Sequence, residues 1–233
     1  MNRILTRKGM IMSLVTDGKR GTSELPRLKQ FKQFPKGWGP DNIRYSQIVT
    51  LSEEVIKYNV PGSIAELGVF RGETSKLISS CLPDRTIYLF DTFEGHPDDD
   101  VNVQIEKGYC PDDDEMIKDT SVQRVLDIMP DKTKCVVKKG YFPDSLEGLE
   151  ESFALVSIDC DHYKPTLEGL RYFYPRLSPG GYIIIHDYGN RFGDGIRQAL
   201  VEFNEECPIS IVPIPDYTGS VVVPKPLLKQ TNE

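Results

Sequence analysis

The residues with most capacity for chemistry lie in the run Ser157-Ile158-Asp159-Cys160-Asp161-His162-Tyr163. Two acids at i and i+2 leave a strand on the same side. A second hydrophobic run, Tyr182–Ile185, ends in His186-Asp187. Three carboxylates gathered from these two segments repel one another unless a cation or a shared proton lies between them. Hard oxygen donors suit Mg²⁺, Ca²⁺ or Mn²⁺. His186 has three open readings: a further ligand, a general base, or a core residue facing away. His162 either stabilises the turn by hydrogen bonding or takes part in the chemistry.

A second constellation precedes it. The loop Glu66-Leu67-Gly68-Val69-Phe70-Arg71-Gly72-Glu73-Thr74-Ser75 follows a hydrophobic run. Gly68 and Gly72 permit a tight turn and close approach of the backbone to a ligand. The loop is neither G-x-G-x-x-G nor a Walker A, and the negative charge of Glu73 at a helix start argues against a pyrophosphate there. Asp91 ends the next hydrophobic run, where an acid can accept both hydroxyls of a ribose. The plainer reading has Asp91 capping the amides of Thr92 and Phe93.

These residues need a scaffold that delivers them to one rim. Ser63–Leu67, Thr86–Phe90, Lys134–Lys138, Phe153–Ile158 and Tyr182–Ile185 read as strands. Helical faces alternate with them: Ile48, Leu51, Val55 and Ile56 lead into the first, then come residues 73–82, 122–129, 167–177 (with Pro165 in the first turn) and 196–203. Pro179-Gly180-Gly181 is expected to break the fourth of these helices ahead of the fifth strand. The segment 92–115, with acid runs 98–100 and 112–115, reads as a solvated loop or a mobile lid. Ile209–Val212 and Ser220–Val223 lack an intervening helix and are expected to pair as an antiparallel edge hairpin. The sum is an α/β fold, a doubly wound and mostly parallel seven-stranded sheet of Rossmann-like type. Residues 1–43 read as an N-terminal helical arm or cap, and residues 44–233 as one domain. Ligands then bind beyond the carboxyl ends of the strands.

Composition excludes several classes. The 233 residues carry 28 Lys and Arg against 35 Asp and Glu, a net charge of −7 that repels a nucleic-acid backbone. No apolar run is long enough to span a bilayer. The five cysteines form no C-x-x-C, which excludes a zinc ribbon or a thioredoxin motif. Met10–Val15 is too short for a signal peptide, and no N-x-S/T sequon occurs, so the cytoplasm is expected.

With these residues in place, the sequence resembles the S-adenosylmethionine-dependent methyltransferases of the macrocin O-methyltransferase (TylF-type) family. The carriers are AELGVFRGETS (65–75), LFDTFEGHP (89–97), KGYFPDSL (139–146), SIDCDHY (157–163), YPRLSPGGYIIIHDYG (174–189) and GIRQALVEF (195–203). The resemblance implies an S-adenosylmethionine seat at Glu66, Gly68, Arg71, Gly72, Thr74, Asp91, Thr92, Phe142 and Asp159. It implies a divalent metal, Mg²⁺ or Mn²⁺, on Asp159 and the pair after strand five, and a general base at Asp161. That pair is Asp-Asp in the family and His186-Asp187 here, which softens the site toward Mn²⁺ or Fe²⁺, or makes His186 the base in place of a metal. The acceptor implied is a hydroxyl of a glycoside or other polyhydroxylated small molecule, walled by Arg44, Tyr45, Ser46 and the 92–115 segment. A homodimer is expected, without nucleic-acid or membrane partners. The competing readings are a metal-independent enzyme with His186 or His162 as base, a nicotinamide-dependent oxidoreductase, and a non-catalytic nucleoside-binding protein.

Overall fold

The computed structural model describes residues 42–109, 115–189 and 194–227. Of the expected arm, residues 1–43, positions 1–41 lie outside them, as do positions 112–114 of the second acid run. Seven strands form one sheet: β1 (Ser63–Leu67), β2 (Ile87–Asp91), β3 (Cys135–Lys139), β4 (Phe153–Ile158), β5 (Leu177–Ile185), β6 (Val212–Pro213) and β7 (Val221–Pro224). The helices are α1 (Asn42–Lys57), α2 (Glu73–Cys81), α3 (Asp98–Glu106), α4 (Val122–Ile128), α5 (Tyr163–Arg176) and α6 (Gly195–Glu206). Among the described residues no helix is long and apolar enough to cross a membrane.

The strand order is β3-β2-β1-β4-β5-β7-β6. β1 to β5 are parallel, while β7 runs antiparallel to both β5 and β6, so the last two strands form the expected edge hairpin. The direction of winding reverses between β1 and β4. A parallel sheet leaves a crevice beyond the strand ends at that point.

Both faces of the sheet are covered, which is why its strands read as continuous hydrophobic runs. Ile48, Val55, Leu77 and Val125 from α1, α2 and α4 pack over Ile64, Leu89 and Ile184. On the other face, Leu170, Phe173, Leu200 and Phe203 from α5 and α6 cover Ala65, Phe90, Ile183 and Ile185. Phe173 is fully buried among Phe90, Phe142, Phe153 and Tyr172, with ring centroids 5.1 to 5.9 Å away. This cluster supports Phe142 from beneath.

Two local expectations are corrected. The acid run 98–100 is not loop but the first turn of α3, where carboxylates complement the positive end of the helix. This helix is held by polar groups: Tyr141 donates to Asp100 (2.9 Å), and Gln104 accepts the amide of Tyr163 (3.0 Å). Pro179-Gly180-Gly181 also lies inside β5, not before it, since α5 stops at Arg176. Gly180 and Gly181 exchange backbone hydrogen bonds with Lys225 at 2.9 and 2.8 Å, and the register with β4 slips there.

Gly68, the first residue past β1, has φ +84°, and a Cβ built on it would lie 1.9 Å from the Asp159 carbonyl oxygen. Gly68 thus passes close against the backbone just beyond β4. Gly68→Ala should lose about 3 kcal/mol or more of unfolding free energy through that clash and the left-handed backbone. Gly108→Ala, at φ +76° with nothing within 4 Å of its Cβ, should lose about 1 kcal/mol. Denaturant titration of both variants measures the difference.

Candidate active site

The site is assembled by the sheet's own ladder, continued one residue past the strands. Gly68 donates to Phe90 (2.9 Å), Asp159 to Leu67 (2.8 Å) and His186 to Ile158 (3.0 Å) through their amides. Gly68, Asp159 and His186 therefore emerge side by side. Asp161 and Asp187 follow with φ of +60° and +57°, a left-handed conformation that aspartate tolerates better than most residues.

The expected charge repulsion is met by basic groups. Arg44, on the first turn of α1, donates through Nη1 to Asp159 Oδ2 (2.8 Å) and through Nη2 to Thr74 Oγ1 (2.8 Å). His186 Nδ1 lies 2.9 Å from Asp159 Oδ1 and 3.0 Å from Asp187 Oδ2. Its Nε2 is 2.8 Å from the Thr218 hydroxyl. Burial works to raise the Asp159 carboxyl, but His186 and Arg44 outweigh it and hold that group well below the usual carboxylate range. Burial likewise works to lower His186, and Asp159 outweighs it, pushing the imidazole up to about 10.

The donor atoms of Asp159, His186 and Asp187 all lie within 4.8 Å of one another. One imidazole nitrogen with carboxylate oxygens fits a divalent first-row ion. Asp161 does not join this group: its Oδ2 lies 3.5 Å from His96 Nε2. The trio is thus two acids and a histidine, not three acids.

A cleft opens over these residues in two compartments. The smaller, about 100 Å³, is lined by Phe90, Tyr141, Phe142, Pro97, Asp91 and Thr92. The larger, about 270 Å³, holds Arg44, Glu66, Thr74, His186 and Asp187. Gly68, Phe70, Ile117, Asp159 and Asp161 line both.

Other expected residues are placed as follows. Asp91 accepts the amides of Val69 (2.7 Å), Phe70 (2.8 Å) and Phe93 (2.6 Å), so it fixes the glycine loop as well as facing the cleft. The Thr92 hydroxyl donates to the Gly95 carbonyl at 2.7 Å. Arg71 turns away from the cleft: its guanidinium pairs with Asp119 (2.5 Å) and lies over the Phe70 ring. Gly72 faces α4, where its Cβ would meet Val125 at 2.9 Å. His162 is 1% exposed, lines neither compartment, and packs its ring 4.2 Å from that of His96. The histidine beside Asp161 is His96, which was not among the candidate residues. Neither His96 nor Thr218 stood out in the sequence: His96 ends a turn within LFDTFEGHP, and Thr218 has no local signal.

Residues 41–216 match the family model of the macrocin-O-methyltransferases (TylF). The chain is 31% identical over 173 residues to mycinamicin III 3''-O-methyltransferase of Micromonospora griseorubida, covering 68% of this chain and 66% of that protein. It is 29% identical over 197 residues to 8-demethyl-8-(2,3-dimethoxy-alpha-L-rhamnosyl)-tetracenomycin-C 4'-O-methyltransferase of Streptomyces olivaceus, covering 78% and 70%. Demethyldecarbamoylnovobiocin O-methyltransferase of Streptomyces niveus is 31% identical over 163 residues, covering 62% and 60%. The chain thus spans 60 to 70% of the length of these curated relatives. Among solved structures, calicheamicin methyltransferase CalS11 superposes with a TM-score of 0.65 at 21% identity over 93% of this chain and 90% of that one. The O-methyltransferase NovP gives 0.64 at 24% identity over 78% and 79%. At these identities the likeness is one of fold.

Glu66 is 1% exposed and takes a hydrogen bond from the Ser75 hydroxyl. Burial raises its carboxyl from 4.5 to about 8. Its contribution to stability is therefore full below about pH 4.5 and is lost as pH rises through about 8. Glu66→Gln, which keeps the neutral form, should melt increasingly above the parent chain across that window. Thermal melts of the ligand-free proteins at pH 5, 7 and 8.5 measure the trend; a constant difference would remove the assignment.

Proposed function

This chain belongs to the macrocin-O-methyltransferase (TylF) family, and from that premise we propose that it is an S-adenosylmethionine-dependent O-methyltransferase acting on a hydroxyl of a sugar or other polyhydroxylated small molecule. The observation that carries the proposal is the cleft at the strand ends whose two compartments meet at Asp159 and Asp161. A two-part cleft suits a reaction between two ligands. The relative named for a rhamnosyl-tetracenomycin supports a glycoside as acceptor.

The residues fit both groups that the family implies. Asp91, Thr92, Tyr141 and Phe142 would hold the nucleoside of S-adenosylmethionine, and Glu66, Gly68 and Thr74 its amino-acid end. Arg71 and Gly72 are left out, because neither lines the cleft. When bound, S-adenosylmethionine supplies a methyl group on sulfur with a good leaving group. Asp159, His186 and Asp187 would hold a divalent ion, which when bound lowers the pKa of an acceptor hydroxyl.

The chain's own residues do the rest. Asp161 lies at the boundary of the compartments and takes the proton from the acceptor hydroxyl. The walls of the cleft bring donor and acceptor into line, which provides much of the rate in a displacement of this kind. Arg44 keeps Asp159 ionised and aimed. His186 is favoured as a ligand over a general base, because Nδ1 faces two carboxylates and Nε2 faces Thr218. A metal-independent reading has one observation in its favour: Arg44 and His186 already balance the carboxylates of the trio.

Calorimetric titration with S-adenosylhomocysteine, with and without EDTA, tests the assignment. Micromolar binding is expected, and absence of binding in both conditions removes it. Asp161→Asn should hold S-adenosylhomocysteine within about threefold of the parent and reduce turnover of a rhamnoside acceptor by about 10²–10⁴-fold. Turnover that survives in this variant would take the base assignment from Asp161. Activity indifferent to EDTA would select the metal-independent reading.

A further inference from the structure

Thr218 lies in the turn between β6 and β7, outside every motif that carried the family resemblance. Its hydroxyl sits 2.8 Å from His186 Nε2. The opposite ring nitrogen is the one that faces Asp159 and Asp187, at 2.9 and 3.0 Å. An imidazole with one nitrogen directed at a cluster of donors and the other bonded to a fixed polar group has its ring plane defined from both sides.

The turn itself is held firmly. The Gly189 amide donates to the Gly219 carbonyl at 2.7 Å, and a Cβ on Gly219 would lie 2.8 Å from Gly189 Cα, so the turn and the exit of β5 touch backbone to backbone. The Ser220 amide donates to Asp216 Oδ1 at 2.7 Å, and the Ile214 amide to the Ser220 carbonyl at 2.8 Å. Thr218 is therefore presented by a stiff element to a histidine at the end of β5.

We propose that Thr218 is the positioning residue of His186: its hydroxyl fixes the imidazole so that Nδ1, and not Nε2, is the atom offered beside Asp159 and Asp187. A hydroxyl suits this task because its oxygen can accept the ring proton on Nε2 whichever partner stands at Nδ1. With no cation bound, the ring carries a proton on each nitrogen, Nδ1–H toward the carboxylates and Nε2–H toward Thr218, whose hydroxyl accepts it. With a cation at Nδ1, the ring proton is on Nε2 and Thr218 accepts it. The ring keeps one orientation through both states. An aspartate at position 186 has no second nitrogen to anchor, so this hydroxyl matters only because position 186 is histidine. The part of the inference that concerns a cation rests on the metal reading above; the orientation of the ring does not.

The experiment pairs two measurements on the parent chain, Thr218→Val and Thr218→Ser. The first is the crystal structure of each protein prepared in EDTA. The second is Mn²⁺ affinity by electron paramagnetic resonance. Thr218→Val should let the ring turn, separating Nδ1 from one or both aspartates, and should weaken Mn²⁺ about 10- to 100-fold, the usual effect of removing an outer partner of a ligand histidine. Thr218→Ser should keep the ring in place and the affinity within about threefold. A ring that stays in place in Thr218→Val overturns the proposal, as does equal Mn²⁺ affinity in the parent and Thr218→Val. A serine variant that behaves like the valine one also overturns it, since the hydroxyl is then not the cause. If the parent chain binds no Mn²⁺, the metal reading alone falls, and the ring orientation in the EDTA structures still decides the role of Thr218.

Discussion

Asp159, His186 and Asp187 can be packed together at the ends of two neighbouring parallel strands only because positive charge comes to meet them. Ladder geometry leaves no freedom to move them apart, since β4 and β5 are hydrogen-bonded neighbours and their next residues emerge side by side. Arg44 takes one oxygen of Asp159 and His186 faces the other. Loss of one partner from this part-buried pair would leave the remaining charge in a poorly solvated place. The same arrangement keeps Asp159 ionised. Stability of the rim and readiness for chemistry thus come from the same contacts.

Around that core of charge, the fold divides labour. The parallel strands deliver acids, and the glycine loop is shaped by Asp91, whose two oxygens take three backbone amides. Phe142 rests on the aromatic cluster at Phe173 and closes the floor of the smaller compartment. Asp161 stands apart from the charged trio and beside His96, which leaves its carboxylate facing both compartments.

Much of this was legible in the sequence, and the reasons are physical. Strands buried on both faces are hydrophobic runs, so β1, β2, β4 and the second half of β5 stood out, each running out into polar residues. The alternation with helical faces then gave the parallel sheet, and the lack of a helix before the last strand gave the hairpin. α3 was not legible because little apolar surface holds it: its buried residues are Asp100 and Gln104, and its anchors are hydrogen bonds to distant partners. The first half of β5 was hidden by Pro179 and two glycines, which the strand accommodates by slipping register. Within the site, the direction of Arg71 was not legible, because a position in the loop says nothing of where a long side chain runs; here it runs to Asp119. His96 and Thr218 were invisible because their relevance is entirely tertiary: one meets Asp161 and the other His186 only after the chain has folded.

Arg44 belongs to the first helix described and Thr218, the partner of His186, to the last hairpin, so the groups that order the rim come from opposite ends of the fold. Electrostatic completion is therefore a property of the closed chain and not of any segment within it. A fragment that lost α1, or one that lost β6 and β7, would retain the acids and most of the glycine loop yet lack the contacts that hold them in order. Cleavage that removed α1, or the β6–β7 hairpin, would disable this centre while leaving every rim acid in the chain.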